Sequence, residues 1–128
     1  MDIIFERKTD KSFEEAVLDL KESLKAKSFG VLVELNLKDK LKEKGQDFNT
    51  NFLVLEVCNP EKAKTVLEKR IEAGYMLPCK MVVYEKEGAV WLGMQNPKKL
   101  IELVGDESLK EIAEEVYDHL SQAILDAV

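Results

Sequence analysis

The segment "CKMVVYEKEGAVWLGMQ" at residues 79–95 decides the fold class, because two apolar strand patterns stand only three residues apart in it. A connection as short as "KEG" closes an antiparallel hairpin, and Gly88 suits a turn position with positive φ. A doubly wound parallel sheet is the alternative, in which "CNPEKAKTVLEKR" at 58–70 forms a crossover helix. The hairpin and the missing glycine-rich phosphate loop favour the antiparallel sheet.

The periodicity of apolar residues predicts the strands and helices outside the hairpin. Further strands are predicted over residues 2–6, 30–37 and 52–58. Main helices are predicted over residues 12–27 and 107–127, and shorter helices over residues 37–44, 60–71 and 96–105. The resulting order is β-α-β-β-β-β-α, with the short helices inserted in connections. We therefore predict a single α+β domain over residues 1–128, with an antiparallel sheet whose main helices cover one face.

Specific residues mark where the helices begin and end. Ser12 and Glu15 are spaced as a capping box ahead of the first helix. Asn59 and Asn96 are good N-caps, and each is followed by a proline at the first helical position. Gly45 ends the helix that precedes it. The buried stripe of the last helix is predicted at Leu109, Ile112, Val116, Leu120 and Ile124.

Composition narrows the range of partners. A chain of 128 residues buries one core without needing a disulfide or a metal. The net charge of -6 and the presence of only two arginines argue against nucleic-acid binding, which needs a concentrated basic surface. No apolar run approaches the roughly 20 residues of a membrane span, and the start "MDIIFERKTD" lacks the pattern of a secretory signal. We expect a cytoplasmic protein with no nucleic-acid and no membrane partner.

The two cysteines lie where one predicted strand ends and another begins. If strands 52–58 and 79–85 pair antiparallel, Cys58 and Cys79 become neighbours at one rim of the sheet. In a parallel sheet they would lie a strand length apart, on the order of 17 Å at 3.3 Å per residue. The antiparallel topology therefore predicts a candidate site at this rim.

Strand alternation predicts which side chains share a face with Cys58. The apolar residues Leu53, Leu55 and Val57 are expected to face the helices, which leaves Cys58 and Glu56 on the other face. Glu34, on the neighbouring strand, is expected to join them there. A carboxylate near a thiol acts as an acid or a base, or raises the thiol pKa. The alternative is that both Glu34 and Glu56 are ordinary solvent-facing strand residues.

The helix starts at Asn59 and Asn96 lie at the same rim in this topology. Helix N-termini have unpaired N–H groups and a positive dipole end, which bind anions or lower the pKa of a cysteine. This arrangement makes the backbone of residues 60–62 a candidate anion site. The alternative is that the asparagines only cap helices and that Cys58 is a small packed residue.

Three segments of the chain resemble the bacterial and archaeal family named domain of unknown function 302. They are "FGVLVELNLKDKLKEK" at 29–44, "EVCNPEKA" at 56–63 and "GYMLPCKMVVYE" at 74–85. The resemblance implies a fold of the TATA-binding-protein type and a homodimer. The motif positions carry over as Gly30, Glu34, Cys58, Asn59, Pro60, Pro78 and Cys79. This chain has Asn96-Pro97 where many members have Asp-Pro, which removes a charge from the rim. The resemblance implies no established activity.

The sequence supports three hypotheses for the rim. The first is a small-ligand or thiol-dependent site around Cys58 and Cys79, with Glu34, Glu56, Asn59 and Asn96 as further candidate binding residues and a small molecule or an anion as ligand. The second is a non-catalytic dimeric binding or scaffold domain whose cysteines only pack. The third is a redox sensor that cycles between dithiol and disulfide.

No cofactor and no metal site is predicted. A structural zinc site needs four ligands, and the sequence has no CxxC pair. The only histidine, His119, is expected on the flank of the last helix. Catalytic residues stay undetermined.

Overall fold

The computed structural model describes residues 3–128 as one five-stranded antiparallel sheet with helices. The strands are β1 (Ile4–Thr9), β2 (Gly30–Asn36), β3 (Phe52–Cys58), β4 (Cys79–Lys86) and β5 (Ala89–Gln95). The α-helices are α1 (Phe13–Ala26), α2 (Leu37–Glu43), α3 (Pro60–Lys69), α4 (Pro97–Val104) and α5 (Lys110–Ala127). Two 3-10 helices, Ile71–Met76 and Glu107–Leu109, precede β4 and α5.

The sheet has the strand order β1-β5-β4-β3-β2, and every neighbouring pair is antiparallel. The β4–β5 hairpin turns through Glu87 and Gly88, which have φ of 53° and 79°. This arrangement confirms the predicted α+β fold and its element order, and it excludes the parallel alternative. Ser12 caps α1 at the predicted position, because its Oγ accepts from the Glu15 N–H at 3.1 Å. Its hydroxyl also donates to Oε1 of Glu15 at 3.1 Å, in place of the backbone bond of a full capping box.

Several predicted boundaries differ from the structure by one to three residues. The last helix, predicted from residue 107, begins at Lys110 after the 3-10 helix Glu107–Leu109. The first strand runs over Ile4–Thr9 instead of residues 2–6, and residue 2 lies outside the described residues. The charged residues Glu6 to Lys8 interrupt the apolar pattern by which a strand is recognised in a sequence. The strand can carry them because β1 lies at the edge of the sheet, where charged side chains stay in solvent. The helix predicted to end at residue 71 ends at Lys69, because Arg70 is extended (φ -155°, ψ 107°).

The main core lies between the sheet and the helices α1 and α5. Leu55 and Met81 from the sheet pack against Leu20 of α1 and Leu120 of α5, and all four are fully buried. Leu53 and Val57 are also buried in this core, as predicted for the face covered by helices. Ser23 of α1 ties the two helices together by donating to the Ala123 carbonyl at 2.7 Å.

A second, smaller core lies beside the first. Val66 of α3, Ala73 of the 3-10 helix and Leu109 are its buried residues. The partly buried residues around it are Leu77, Ile101, Val104 and Ile112. This small core holds α3, α4 and the start of α5 together at one end of the sheet.

The last helix therefore divides its apolar stripe between two environments. Leu120 and Ile124 are buried in the main core and Leu109 in the small core, as predicted. Ile112 and Val116 are only partly buried, and they pack against the small core and the main core respectively. Within residues 3–128, no helix has both the length and the apolarity needed to cross a membrane.

A β-bulge in β2 changes the side on which its later residues lie. The pairing shifts between Val31 and Val33, so that Val33 is opposite Glu56 and Glu34 is opposite Leu55. Leu55 faces the helices, so Glu34 lies on the helix side of the sheet edge, where Lys21 of α1 donates to it at 2.7 Å. The prediction that Glu34 shares a face with Glu56 and Cys58 is therefore wrong, since a bulge inverts the alternation on which it rested.

The face of the sheet away from α1 and α5 is here called the open face. A row of paired residues, Phe52, Tyr84 and Trp91, crosses it from β3 to β5. The Phe52 and Tyr84 rings stack with centroids 5.4 Å apart. On β2, Leu32 and Val33 are 59% and 51% exposed. The open face thus carries aromatic and aliphatic side chains together with the carboxylates of Glu6 and Glu56.

Gly93 leaves room on the open face for a contact between β4 and β1. The Tyr84 hydroxyl donates to Oε2 of Glu6 at 2.7 Å, and Gly93 is the β5 residue directly opposite Glu6. Burial, the hydrogen bond and the negative charge of Glu6 raise the pKa of Tyr84 to about 12. A Cβ on Gly93 would lie 2.9 Å from the Cβ of Glu6 and 3.2 Å from the Phe5 carbonyl oxygen. The close approach of β1 therefore requires glycine here.

We expect Gly93→Ala to destabilise the fold by about 1–3 kcal/mol, because β1 must move away from β5 to admit the methyl group. The measurement is urea unfolding followed by far-ultraviolet circular dichroism. Gly30→Ala is the matched control, since a Cβ there meets nothing closer than the Cys58 carbonyl oxygen at 4.0 Å. Equal stability changes in the two variants would contradict this account of Gly93.

Candidate functional site

The strand register places both cysteines at one rim of the sheet. Val57 is directly opposite Cys79, and Gly30 is directly opposite Cys58. Gln95 reaches the same rim from β5. The predicted proximity of the two cysteines is confirmed by this pairing, and neither cysteine forms a disulfide. We call the ends of these strands at Gly30, Cys58, Cys79 and Gln95 the cysteine rim.

Both thiols line one small cavity, which we call the thiol cavity. Its volume is about 30 Å³. Cys79 faces the helices like its partner Val57, and Cys58 reaches the cavity because β3 ends there and the chain turns into α3. The cavity is lined by Phe29, Val57, Cys58, Asn59, Lys62, Ala63, Val66, Leu77, Cys79 and Val116. Apart from Asn59 and Lys62, its walls are apolar side chains and the two thiols.

A second cavity, here called the apolar cavity, adjoins the first. Its volume is about 50 Å³, and it lies among α3, α4, α5, the 3-10 helix and the start of β4. Its lining residues are Val66, Ala73, Met76, Leu77, Cys79, Lys80, Gln95, Pro97, Leu100, Ile101, Ile112, Ala113 and Val116. The two cavities share Val66, Leu77, Cys79 and Val116, so Cys79 contributes to the partition between them.

The surroundings of the thiols keep them protonated. Burial raises the pKa of the Cys79 thiol to about 11, with smaller contributions from Cys58 and Glu56. Burial also raises the pKa of Cys58. The expectation of an unusually acidic thiol is not supported by these directions. A thiol with a raised pKa is a weak nucleophile at neutral pH, since the thiolate is the reactive form.

The two candidate carboxylates lie in different places. Glu56 lies opposite Lys80, and both line a groove of about 320 Å³ that runs outside the rim beside Tyr75. Glu56 is close enough to Cys79 to raise its pKa. Glu34 is paired with Lys21 on the other side of the sheet and does not contribute to the site.

The predicted helix starts are present, but their N–H groups are largely occupied. The side chain of Asn59 accepts from the Lys62 N–H at 3.1 Å, and Pro60 has no N–H to offer. The side chain of Asn96 likewise accepts from the Lys98 N–H at 3.0 Å, again behind a proline. Asn96 lines a separate charged groove on α4 and not the thiol cavity. This geometry favours capping over anion binding at both helix starts.

The methionines of β4, β5 and the 3-10 helix, and the histidine of α5, occupy packing positions. Met81 and Met94 are buried in the main core, and Met76 lines the apolar cavity. His119 lies on α5 with its ring 6.3 Å from the ring of Phe29. Within residues 3–128, no group of three or more His, Cys, Asp or Glu side chains is arranged to hold a metal ion.

Sequence reasoning missed the residues that complete both cavities. Ala73 and Leu77 come from the 3-10 segment before β4, which has no helical or strand periodicity to mark its buried side chains. Val116 belongs to the stripe of α5 but faces the partition instead of the sheet centre. Lys62 is the one charged residue that lines the thiol cavity, and its ammonium group lies 2.7 Å from Glu115 of α5. The amphipathic pattern of α3 is the signal that would have pointed to Val66.

Comparison with known proteins returns similar sequences and a similar structure. The sequence profile described as "Domain of unknown function DUF302" matches residues 5–127. The crystal structure of an uncharacterized conserved protein DUF302 from Bacillus stearothermophilus is 38% identical, covers 100% of both chains and has a TM-score of 0.95. Among functionally curated proteins no match is found. These similarities support the resemblance and the fold, and they bring no assigned chemistry.

We expect alkylation of Cys79 in the native protein to be slow at pH 7 and to rise about tenfold per pH unit up to pH 9.5, without levelling off. With a pKa of about 11, about one Cys79 thiol in ten thousand is ionised at pH 7. The measurement is pulsed iodoacetamide labelling read at each cysteine by mass spectrometry, with the urea-unfolded chain as control. A rate at Cys79 that levels off below pH 8 would contradict the raised pKa.

Proposed function

The chain belongs to the family described as domain of unknown function DUF302, and we propose that it binds a small apolar molecule at the cysteine rim, in the apolar cavity that Cys79 helps to line. The observation that carries this proposal is the cavity itself, which has about 50 Å³ of space inside the fold. About 10–15 Å³ is enough to hold a water molecule, so this cavity has room for a larger guest.

The chemistry of the walls selects the ligand class. Aliphatic side chains such as Leu100 and Ile112 surround the cavity, and they offer a guest no hydrogen bond. Water gains little in such a space, whereas an apolar guest gains dispersion contacts and leaves bulk water. Lys80 and Gln95 are the exposed members of the lining, so a polar substituent on the ligand would point toward them.

The thiols serve this function as neutral groups. A protonated Cys79 is a small, polarisable wall residue that packs against an apolar guest. Its raised pKa supports reversible binding over covalent catalysis, because the nucleophilic thiolate is scarce at neutral pH. Cys79 also packs against the main core, so its replacement affects both packing and the ligand cavity.

Xenon is a suitable probe, since dry apolar cavities bind it. We expect xenon pressure to shift the methyl resonance of Ile112, which lines the apolar cavity. Ala73→Val fills that cavity and should reduce the shift to near zero. Ala63→Val is the matched control, because Ala63 lines only the thiol cavity.

Leu100→Phe is a second filling variant if Ala73→Val does not fold, since Leu100 is less buried than Ala73. Thermal unfolding of each variant establishes that the cavity has been filled in a folded protein. An Ile112 methyl that does not respond to xenon, or that responds equally in the filled variants, would refute the proposed cavity.

A second candidate function is that of a homodimeric scaffold, favoured by the apolar side chains of the open face. Leu32 and Val33 are exposed there, and the row of Phe52, Tyr84 and Trp91 crosses the other end of the face, with Leu35, Val54 and Val82 between them. Exposed contiguous apolar surface is typical of protein interfaces. The bulge strengthens this candidate, because it moves the charge of Glu34 off the open face. A second copy of the chain is the occupant that the family resemblance implies.

We expect Leu32→Lys combined with Val33→Lys to convert a dimer to a monomer, since two ammonium groups would have to be buried on each side of the interface. Sedimentation velocity over a concentration series is the measurement. Leu18→Lys is the control, because Leu18 is 63% exposed on α1 and away from the open face. A wild-type protein that sediments as a monomer would exclude this candidate.

A further inference from the structure

The thiol cavity is lined by two cysteines, and the binding of an apolar ligand in the neighbouring apolar cavity does not require the thiol of Cys58. Two free thiols from neighbouring strands converge on a space of about 30 Å³. Such a space exceeds the roughly 10–15 Å³ that one water needs, so a single ion fits. Phe29, Leu77 and Val116 close the remaining walls with apolar surface and supply no competing oxygen ligand.

The number of available ligands limits which metal ions fit. No third His, Cys, Asp or Glu within residues 3–128 joins the two cysteines in a metal-binding group. Zinc prefers four ligands in a structural site and three plus water in a catalytic one, so it is disfavoured. Soft monovalent ions with filled d shells accept thiolate ligands and are stable with only two of them. We propose that Cys58 and Cys79 bind one soft monovalent metal ion, of the copper(I) or silver(I) class, between their two sulfur atoms.

Binding exchanges protons for the metal. Each thiol loses one proton as its sulfur bonds to the ion, so one ion displaces two protons and no electron is transferred. Two thiolates and one monovalent cation carry a net charge of -1. Lys62 is the one cationic residue that lines the same cavity, and its ammonium group is paired with Glu115 at 2.7 Å. Glu56 near Cys79 and Glu115 beside Lys62 carry further negative charge, and the His119 ring lies against Phe29 on the α5 side.

This inference goes beyond the proposed function, because it concerns the other cavity. The partition of Val66, Leu77, Cys79 and Val116 separates the two spaces. Ala63→Val should therefore weaken metal binding and leave the xenon response unchanged. Ala73→Val should do the reverse, so the failure of one proposal is distinguishable from the failure of the other.

The test is anaerobic titration of the reduced full chain with silver(I), which has the ligand preference of copper(I) without its redox chemistry. We expect one ion per chain by native mass spectrometry, two protons released per ion, and protection of both cysteines from alkylation. Cys58→Ser and Cys79→Ser should each weaken binding by about 100-fold or more, since loss of a ligand costs more than loss of an outer-shell partner.

Met76→Leu is the matched control, because Met76 lines the apolar cavity and the outer groove but not the thiol cavity, so its loss should leave silver affinity unchanged. Circular dichroism of each variant establishes that it is folded. If Cys79→Ser does not fold, Cys58→Ser at the end of β3 decides the question alone. Wild-type affinity in Cys58→Ser, or two ions bound independently by the two thiols, would overturn the proposal.

Discussion

Antiparallel pairing of β3 with β4 is the constraint on which the rest of the site depends. A strand pair of this kind brings the end of β3 to the start of β4, and the register sets Val57 opposite Cys79. The same rim then receives Gly30 from β2 and the start of α3. Two residues 21 positions apart in the chain, Cys58 and Cys79, thereby line one cavity. A parallel arrangement of the same strands would separate them by the length of a strand.

The short connections that follow β3 and β4 made most of the fold predictable from the sequence. The β4–β5 connection is too short for a crossover, and Asn59 with Pro60 marks the start of α3 without ambiguity. Alternation in β3 also identified its buried face, because Leu53, Leu55 and Val57 are uniformly apolar. These features depend on neighbouring residues, so local pattern was sufficient to predict them.

The wrong predictions concern residues whose surroundings are formed by parts of the chain that are distant in sequence. The bulge at Leu32 depends on the pairing of β2 with β3, and no glycine at that position marks it in the sequence. The side of the sheet on which Glu34 lies was therefore predicted wrongly. The cavity walls combine Ala73, Leu77 and Val116, which lie on three separate segments. Burial of Cys79 by these segments raises its pKa, whereas the nearby helix start alone suggested that it would fall. The sequence predicted that Cys58, Cys79 and Asn59 lie near one another, but it did not predict the cavity walls around them.

The small core gives this end of the molecule an independent mode of opening. Its buried residues are Val66, Ala73 and Leu109, whereas the core under the sheet is much larger. Segments with few buried apolar contacts open at a lower free-energy cost than the global unfolding of the domain. Local unfolding of α3 and α4 would therefore widen both cavities while the sheet stays intact. Amide hydrogens in these helices would exchange faster than those of β4, and the shape of both cavities would fluctuate more than the shape of the sheet.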